Sequence, residues 1–271
     1  MEQRPKQMGR VLIVAGSDSS GGAGLQADIK TVTMLGQYAA TAVTAVTTQS
    51  TKGVTDVEAM APGIVASQMR AVLSDIGADV IKTGMLHDKA VIETVLAVID
   101  DVAFDGDLVV DPVMVATSGS MLLQKDAVAS LKTLIAHASL VTPNANEAEV
   151  LTGRLINTVD DMIAAANDIL DTGAEAVLIK GGHLEGATST DVLVSAKGEC
   201  RITSDRIDTT NTHGTGCTLA SAVAALLSAG LTLEAAFEKA HTFVHMAIKA
   251  APGFGGGHGP LGHARVRLDI D

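Results

Sequence analysis

The stretch Val11-Leu-Ile-Val-Ala15, followed at once by Gly16-Ser-Asp-Ser-Ser-Gly-Gly-Ala-Gly24 and the periodic run Leu25–Leu35, decides the fold class. Five apolar residues without a polar interruption predict a strand covered on both faces. The glycine-rich turn lets the backbone reverse sharply into a helix. Working outward, the same strand-then-helix unit recurs. Ala42–Thr48 precedes a loop and the helix Ile64–Ile76, Val80–Lys82 precedes Lys89–Ile99, and Leu108–Val110 precedes Asp126–Ala136. Leu140–Thr142 runs into Glu147–Leu151, and Ala176–Ile179 follows the helix Asp160–Asp171. Alternation of this kind predicts an α/β fold with a mostly parallel central sheet covered by helices on both faces. Asp191–Val194 and Glu199–Ile207 flank Lys197-Gly198 and predict a small antiparallel hairpin. Two apolar helices, Thr218–Ser228 and Glu234–Lys249, follow it.

The 271-residue chain carries 19 Lys and Arg against 31 Asp and Glu, a formal net charge of -12. That balance argues against a nucleic-acid or anionic-membrane partner, since both select for positive charge. Four Phe, one Tyr and no Trp offer no platform for stacking bases. Hydrophobic residues at 47% against 18% charged are enough to fill a core. Cys200 and Cys217 form no C-x-x-C pair, which predicts a reducing compartment, a cytoplasmic location and no structural zinc. No stretch approaches the ~18 uninterrupted apolar residues of a membrane span. With no linker or internal repeat, the expectation is one domain over 1–271, with a flexible tail over 1–10.

Gly22-x-Gly24-x-x-Ala27 matches the dinucleotide fingerprint in form. The second strand, however, ends Thr47-Thr48-Gln49 and lacks the carboxylate that would hold a ribose, which argues against hydride transfer. Neither G-x-x-x-x-G-K-[ST] nor G-x-S-x-G occurs, so P-loop and α/β-hydrolase chemistries drop out. His241 and His245 have the i, i+4 spacing of a zinc helix, but Thr242 stands where that chemistry needs Glu. They read as partly buried helix histidines, and His258 and His263 lack partners at ligand spacing. Asp28 and Gln49 place polar groups near strand ends, where open α/β sheets bind ligands.

The strongest signal is Asn211-Thr-His-Gly-Thr-Gly-Cys217, leading straight into a helix. Gly214, Thr215 and Gly216 would present backbone N–H groups at that helix N-terminus, an anion site. Cys217 falls in the first turn, where the helix dipole is expected to lower a thiol pKa. Asp111, Asn144 and Glu147 lie at the ends of two apolar strands and offer oxygen groups to a magnesium ion, while Lys180 ends a third. An anion hole, a hard-metal site and a base are the parts of a phosphoryl-transfer centre.

With these residues in hand, the sequence resembles the hydroxymethylpyrimidine/phosphomethylpyrimidine kinases of thiamine biosynthesis, within the ribokinase-like superfamily. The resemblance is carried by Gly16-Ser-Asp-x-Ser-Gly-Gly-Ala-Gly24, Gln49, Lys82-x-Gly-Met85, Asp111-x-Val-Met114, Thr142-Pro-Asn144, Lys180-Gly-Gly-His183 and Asn211–Cys217. It implies a three-layer fold, ATP and Mg2+ as cofactors, and a homodimer. It further implies that Gly16, Asp28, Gln49, Met85 and Val113 surround an aminopyrimidine. Lys180, Asn144 and Thr212 would contact ATP, and Asp111, Asn144 and Glu147 would organise the metal. The Gly214, Thr215 and Gly216 loop would stabilise the transferring phosphoryl group, with Cys217 as the base. Many ribokinase relatives carry Asp where Cys217 stands. Thr117, Gly256 and Ser120 depart from the family pattern: the first two stand where Lys is frequent, the third where an acidic residue is common. A pyridoxal/pyridoxine kinase, and a catalytically silent pyrimidine-binding protein, are the competing readings.

Overall fold

A computed structural model describes residues 8–116, 119–182 and 186–270. Nine strands form one sheet in the order β3-β2-β1-β4-β5-β6-β7-β8-β9. The strands are β1 (Arg10–Asp18), β2 (Tyr38–Ser50), β3 (Gly53–Ala59), β4 (Val80–Thr83), β5 (Asp107–Val110), β6 (Leu140–Val141), β7 (Ala176–Ile179), β8 (Thr188–Ser195) and β9 (Gly198–Asp205). From β2 through β7 every pairing is parallel, while β3, β8 and β9 pair antiparallel.

The central strands are apolar because helices cover both faces. On one side lie α1 (Gly24–Met34), α7 (Thr215–Ser228) and α8 (Leu233–Lys249), which bury Val11, Ile13 and Ala15 of β1. On the other lie α2 (Pro62–Asp75), α3 (Lys89–Asp101), α4 (Val128–Ile135), α5 (Ala145–Thr152) and α6 (Val159–Leu170), against Leu12 and Val14. The period-2 alternation of β1 thus divides its side chains between two cores. Small residues on α7, such as Ala220, Ala222, Ala224 and Ala225, are fully buried and let that helix approach its neighbours closely. No helix among the described residues is long and apolar enough to cross a membrane.

Three expectations need correction. The loop after Thr48 contains an edge strand, β3, paired with β2 from Ala45↔Ala59 to Ser50↔Gly53. Its half-exposed and exposed residues, Asp56 and Glu58 among the exposed ones, suit a sheet edge and obscure the strand pattern. Of the tail expected over 1–10, Arg10 instead opens β1 and pairs with Asp79 at 2.6 Å; residues 1–7 lie outside the described ones. Asp126 falls in a 3-10 turn, Lys125–Ala127, ahead of α4.

Chain order places β1 at a switch point: the chain steps to β2 on one side and later to β4 on the other. Ligands bind in the crevice outside the carboxyl ends of strands at such a point. Two irregularities shape that end of the sheet. Register shifts between Ala15 and Ser17 in β1, and between Thr48 and Gln49 in β2, so both strands bulge where Gly16 and Gln49 sit.

Candidate active site

A cavity of about 660 Å³ opens at those strand ends and is lined by residues from every segment quoted above for the resemblance. It has three parts.

The first is the glycine loop before α7. Gly214 caps the helix in the left-handed region at φ 84°, and a Cβ there would stand 1.9 Å from the Gly22 carbonyl oxygen. Only glycine therefore fits between the two loops. His213 ties them together, its Nε2 lying 2.8 Å from Asp18 Oδ2. Asp18 also accepts from the backbone N–H groups of Ser20, Gly22 and Ala23. Burial alone would push Asp18 up, but donation from His213, Ser20 and Ala23 holds it below the ordinary carboxylate value. The Thr215 hydroxyl donates to the Thr212 carbonyl at 2.8 Å, which tightens the turn.

The second part is a buried charge cluster. Lys180 Nζ lies 2.9 Å from Asp111 Oδ1 and 4.0 Å from Glu147 Oε2. A Cβ on Gly216 would stand 3.0 Å from the same ammonium, so the glycine loop rests on Lys180. Burial and the charge on Asp111 raise Glu147 to about 7, against the pull of Lys180. Asn144 is engaged at the start of α5: its Oδ1 accepts from the Glu147 N–H at 2.9 Å, and Glu147 Oε2 accepts from the Asn144 N–H at 2.8 Å. The N-x-x-E spacing is thus a capping box. Replacing Asn144 with Ala should cost about 1 kcal/mol, a fall of roughly 2–4 °C in Tm by thermal denaturation.

The third part joins Gly16, Gln49, Met85 and Val113. The Met85 carbonyl accepts from Thr44 Oγ1 at 2.6 Å, and Met85 Sδ would stand 3.0 Å from a Cβ on Gly16. The Thr47 hydroxyl lies 3.0 Å from the Ser17 carbonyl and 3.1 Å from Gln49 Oε1, so its one proton serves these two acceptors, while His213 donates to Asp18. Gln49 Nε2 lies 3.3 Å from His213 Nε2, and the carboxamide borders the cavity.

Two expectations change here. Asp28 borders the cavity but is fully buried, with Oδ2 3.0 Å from Lys82 Nζ and Oδ1 accepting from Ser221 Oγ at 2.7 Å. Both its oxygens are spoken for, which leaves Gln49 as the polar group facing a ligand. Cys217 is half-buried in the first turn of α7, yet its thiol is raised to about 12, not lowered. Burial and the carboxylates of Asp28 and Asp111 outweigh Lys82 and the Gly24 N–H that donates to the sulfur. Burial, with two carboxylates behind it, overrides the expectation from the helix N-terminus.

His241 and His245 stack with ring centroids 6.4 Å apart and, with Val244 and Ile248, turn one face of α8 toward the cavity. No group of three or more His, Cys, Asp or Glu residues among the described residues is placed to hold a metal by itself. Asp18, Lys82, Thr47, His213 and Ser221 have structural parts in the site that their sequence context left unassigned. A lysine in the apolar strand Val80–Thr83 was the available signal for the buried pair. Thr117, Ser118 and His183 lie outside the described residues.

A doubly covered sheet, a glycine loop at a helix N-terminus and a buried Lys beneath it define a phosphotransferase of the ribokinase-like class. The comparisons narrow this. Residues 18–262 match the family model described as Phosphomethylpyrimidine kinase. The chain is 48% identical over 257 residues to the hydroxymethylpyrimidine/phosphomethylpyrimidine kinase of Rhizobium meliloti, covering 93% of this chain and 96% of that one. It is 46% identical to the thiamine biosynthesis bifunctional protein ThiED of Geobacter sulfurreducens, covering 98% of this chain and 54% of that protein, so it spans about half of the bifunctional relative. Among solved structures it resembles the pyridoxal kinase of Staphylococcus aureus in complex with AMP-PCP and pyridoxal, at TM-score 0.87 and 35% identity, covering 96% of each chain. The chain belongs to the phosphomethylpyrimidine kinase family and is a kinase.

Proposed function

We propose that the chain transfers the γ-phosphoryl group of ATP to the hydroxymethyl oxygen of 4-amino-5-hydroxymethyl-2-methylpyrimidine, and then a second one to the monophosphate so formed. The observation that carries this reading is the closeness of Gly216 to the Lys180 ammonium, which leaves no room for a side chain between them, in the cavity that also holds Gln49 and Met85. An anion cradle and a ring-sized apolar site share one space.

In this reading the Gln49 carboxamide, Met85 and Val113 hold the ring, and the N–H groups of Gly214, Thr215 and Gly216 stabilise charge on the transferring phosphoryl group. The hydroxymethyl proton passes to the Cys217 sulfur as the oxygen bonds to the γ-phosphorus and the bond to the ADP oxygen breaks. Lys180 and Thr212 contact the phosphates, and the His241–Ile248 face of α8 receives the nucleoside. The donor set fits magnesium: two buried carboxylates share one ammonium, and burial together with the neighbouring Asp111 charge keeps Glu147 high. Mg2+ is commonly held by one or two carboxylates plus substrate phosphates, which suits Asp111 and Glu147. Asn144 takes part by fixing the start of α5. When bound, the ion supplies neutralisation of phosphate charge. A homodimer and a cytoplasmic location belong to the same reading, on the family resemblance and the cysteine pattern.

The S. aureus pyridoxal kinase, as a neighbour in fold at 35% identity, makes pyridoxal the second substrate to try. The test supplies purified protein and Mg-ATP separately with the hydroxymethylpyrimidine, its monophosphate and pyridoxal, and follows product mass. Successive gains of one phosphate on the pyrimidine are expected. Turnover of pyridoxal alone would reassign the substrate, and absence of ADP with all three would leave the silent binder.

A further inference from the structure

Beneath the cavity floor lies a fully buried ion pair that the reaction described above leaves unused. Lys82 Nζ and Asp28 Oδ2 are 3.0 Å apart, both side chains are 0% exposed, and Ser221 Oγ holds the second Asp28 oxygen at 2.7 Å. The arrangement follows from helix geometry. Ser221 stands four residues after Cys217 on α7, and Asp28 four residues after Gly24 on α1, so each pair shares one helix face. The Gly24 N–H meets the Cys217 sulfur in one rung between these helices, and Asp28 meets Ser221 in the next. Lys82 enters from β4 and completes the second rung.

Burying an ion pair is costly, and an apolar pair of similar volume is often no less stable, so stability alone is weak grounds for this one. We propose that Lys82 is a positioning residue for phosphoryl transfer, a fixed positive charge that Asp28 and Ser221 hold beneath Cys217 and that stabilises its thiolate, while Asp28 opposes it. The proposal rests on the reading of Cys217 as the base. The charged groups that face this thiol are Lys82 from β4, Asp28 from α1, Asp111 after β5 and Lys180 after β7. Lys82 is the foremost of the charges favouring the thiolate. Burial would lower Lys82, but Asp28, Cys217 and Asp111 raise it far above its ordinary value, so the ammonium persists across the working pH range.

Opposed charges give opposed predictions, which a merely structural pair would not. Asp28→Asn keeps the shape and the Ser221 contact but removes the negative charge, leaving Lys82 alone beneath the sulfur. Asp28→Asn combined with Lys82→Met removes both charges and leaves no unpaired ion to unfold the protein. The readout is the rate of Cys217 alkylation by iodoacetamide against pH, in a Cys200→Ser background of the full chain, with circular dichroism melts as the check on folding. Relative to the parent, Asp28→Asn should shift the rise to lower pH by about one unit, roughly tenfold more thiolate at a given pH. Adding Lys82→Met should move the rise back to the parent position or beyond. Overlapping profiles for all three folded proteins, or a shift in the same direction for both variants, would overturn the proposal. Kinase assays on the same proteins keep the two readings apart. The alkylation order with no turnover of any substrate sinks the function and keeps the electrostatic device; turnover with flat alkylation order does the reverse.

Discussion

A Lys180→Met variant is expected to lose about 10²–10³ in kcat/KM for ATP, the scale on which removing one preorganised charge-stabilising donor is felt. Lys180 is the cation beside the glycine loop, close enough that a Cβ on Gly216 would stand 3.0 Å from its Nζ, with Asp111 at 2.9 Å. Methionine keeps the stem and deletes the charge. The same change should alter stability in a pH-dependent way. Glu147 already sits at about 7 with Lys180 beside it, and removing the ammonium raises it further. A carboxyl whose folded pKa exceeds its unfolded value contributes stability that is fully present below the unfolded pKa and lost as pH rises through the folded one. The deficit in Tm of the variant against the parent should therefore widen from about pH 7 to about pH 9, where Glu147 ionises in the parent and stays protonated in the variant. A constant Tm deficit across that range would remove the proposed coupling, and unchanged ATP kinetics would remove Lys180 from the phosphate site.

What the sequence discloses of this molecule, and what it hides, divides along the range of the interactions. The apolar strands at Val11, Leu108 and Ala176 are readable because burial on both faces leaves no polar residue in them. The anion loop at Gly214 is readable because its chemistry is local: glycines, then a helix. Strand β3 escapes, since an edge strand must carry charge such as Glu58 to avoid pairing with other chains. Asn144 and Glu147 are found by their spacing, but that spacing serves a metal site and a capping box equally, and only coordinates show the box formed. Asp28 looks available to a ligand until Lys82 and Ser221, 54 and 193 residues away in sequence, occupy both oxygens. The Cys217 thiol is the sharpest case. A rule about helix N-termini predicts a lowered pKa, whereas burial first, and then carboxylates on α1 and after β5, raise it, and no local pattern announces them.

That reversal leads to the prediction with the widest range. Replacing Cys217 with Ala should lower kcat by about 10²–10⁴, the usual contribution of a positioned general base, while the Gly214–Gly216 amides and Lys180 leave ATP binding in place. The pH profile is the more telling measurement. With the thiol at about 12, the thiolate is a small fraction of the protein throughout the neutral range. The sign follows: a group that must be deprotonated, with its pKa raised, makes activity climb about tenfold per pH unit with no plateau until the pKa is approached. The parent should therefore show log kcat/KM rising through about pH 9, and Cys217→Ala should flatten that rise. Cys217→Asp supplies the other arm. A carboxylate at the same position is ionised at lower pH, so its profile should level off far below that of the thiol and rescue part of the lost rate at neutral pH. A parent profile that is flat from about pH 6 to about pH 9 would mean that the proton leaves by another route, whatever the fate of the alanine variant.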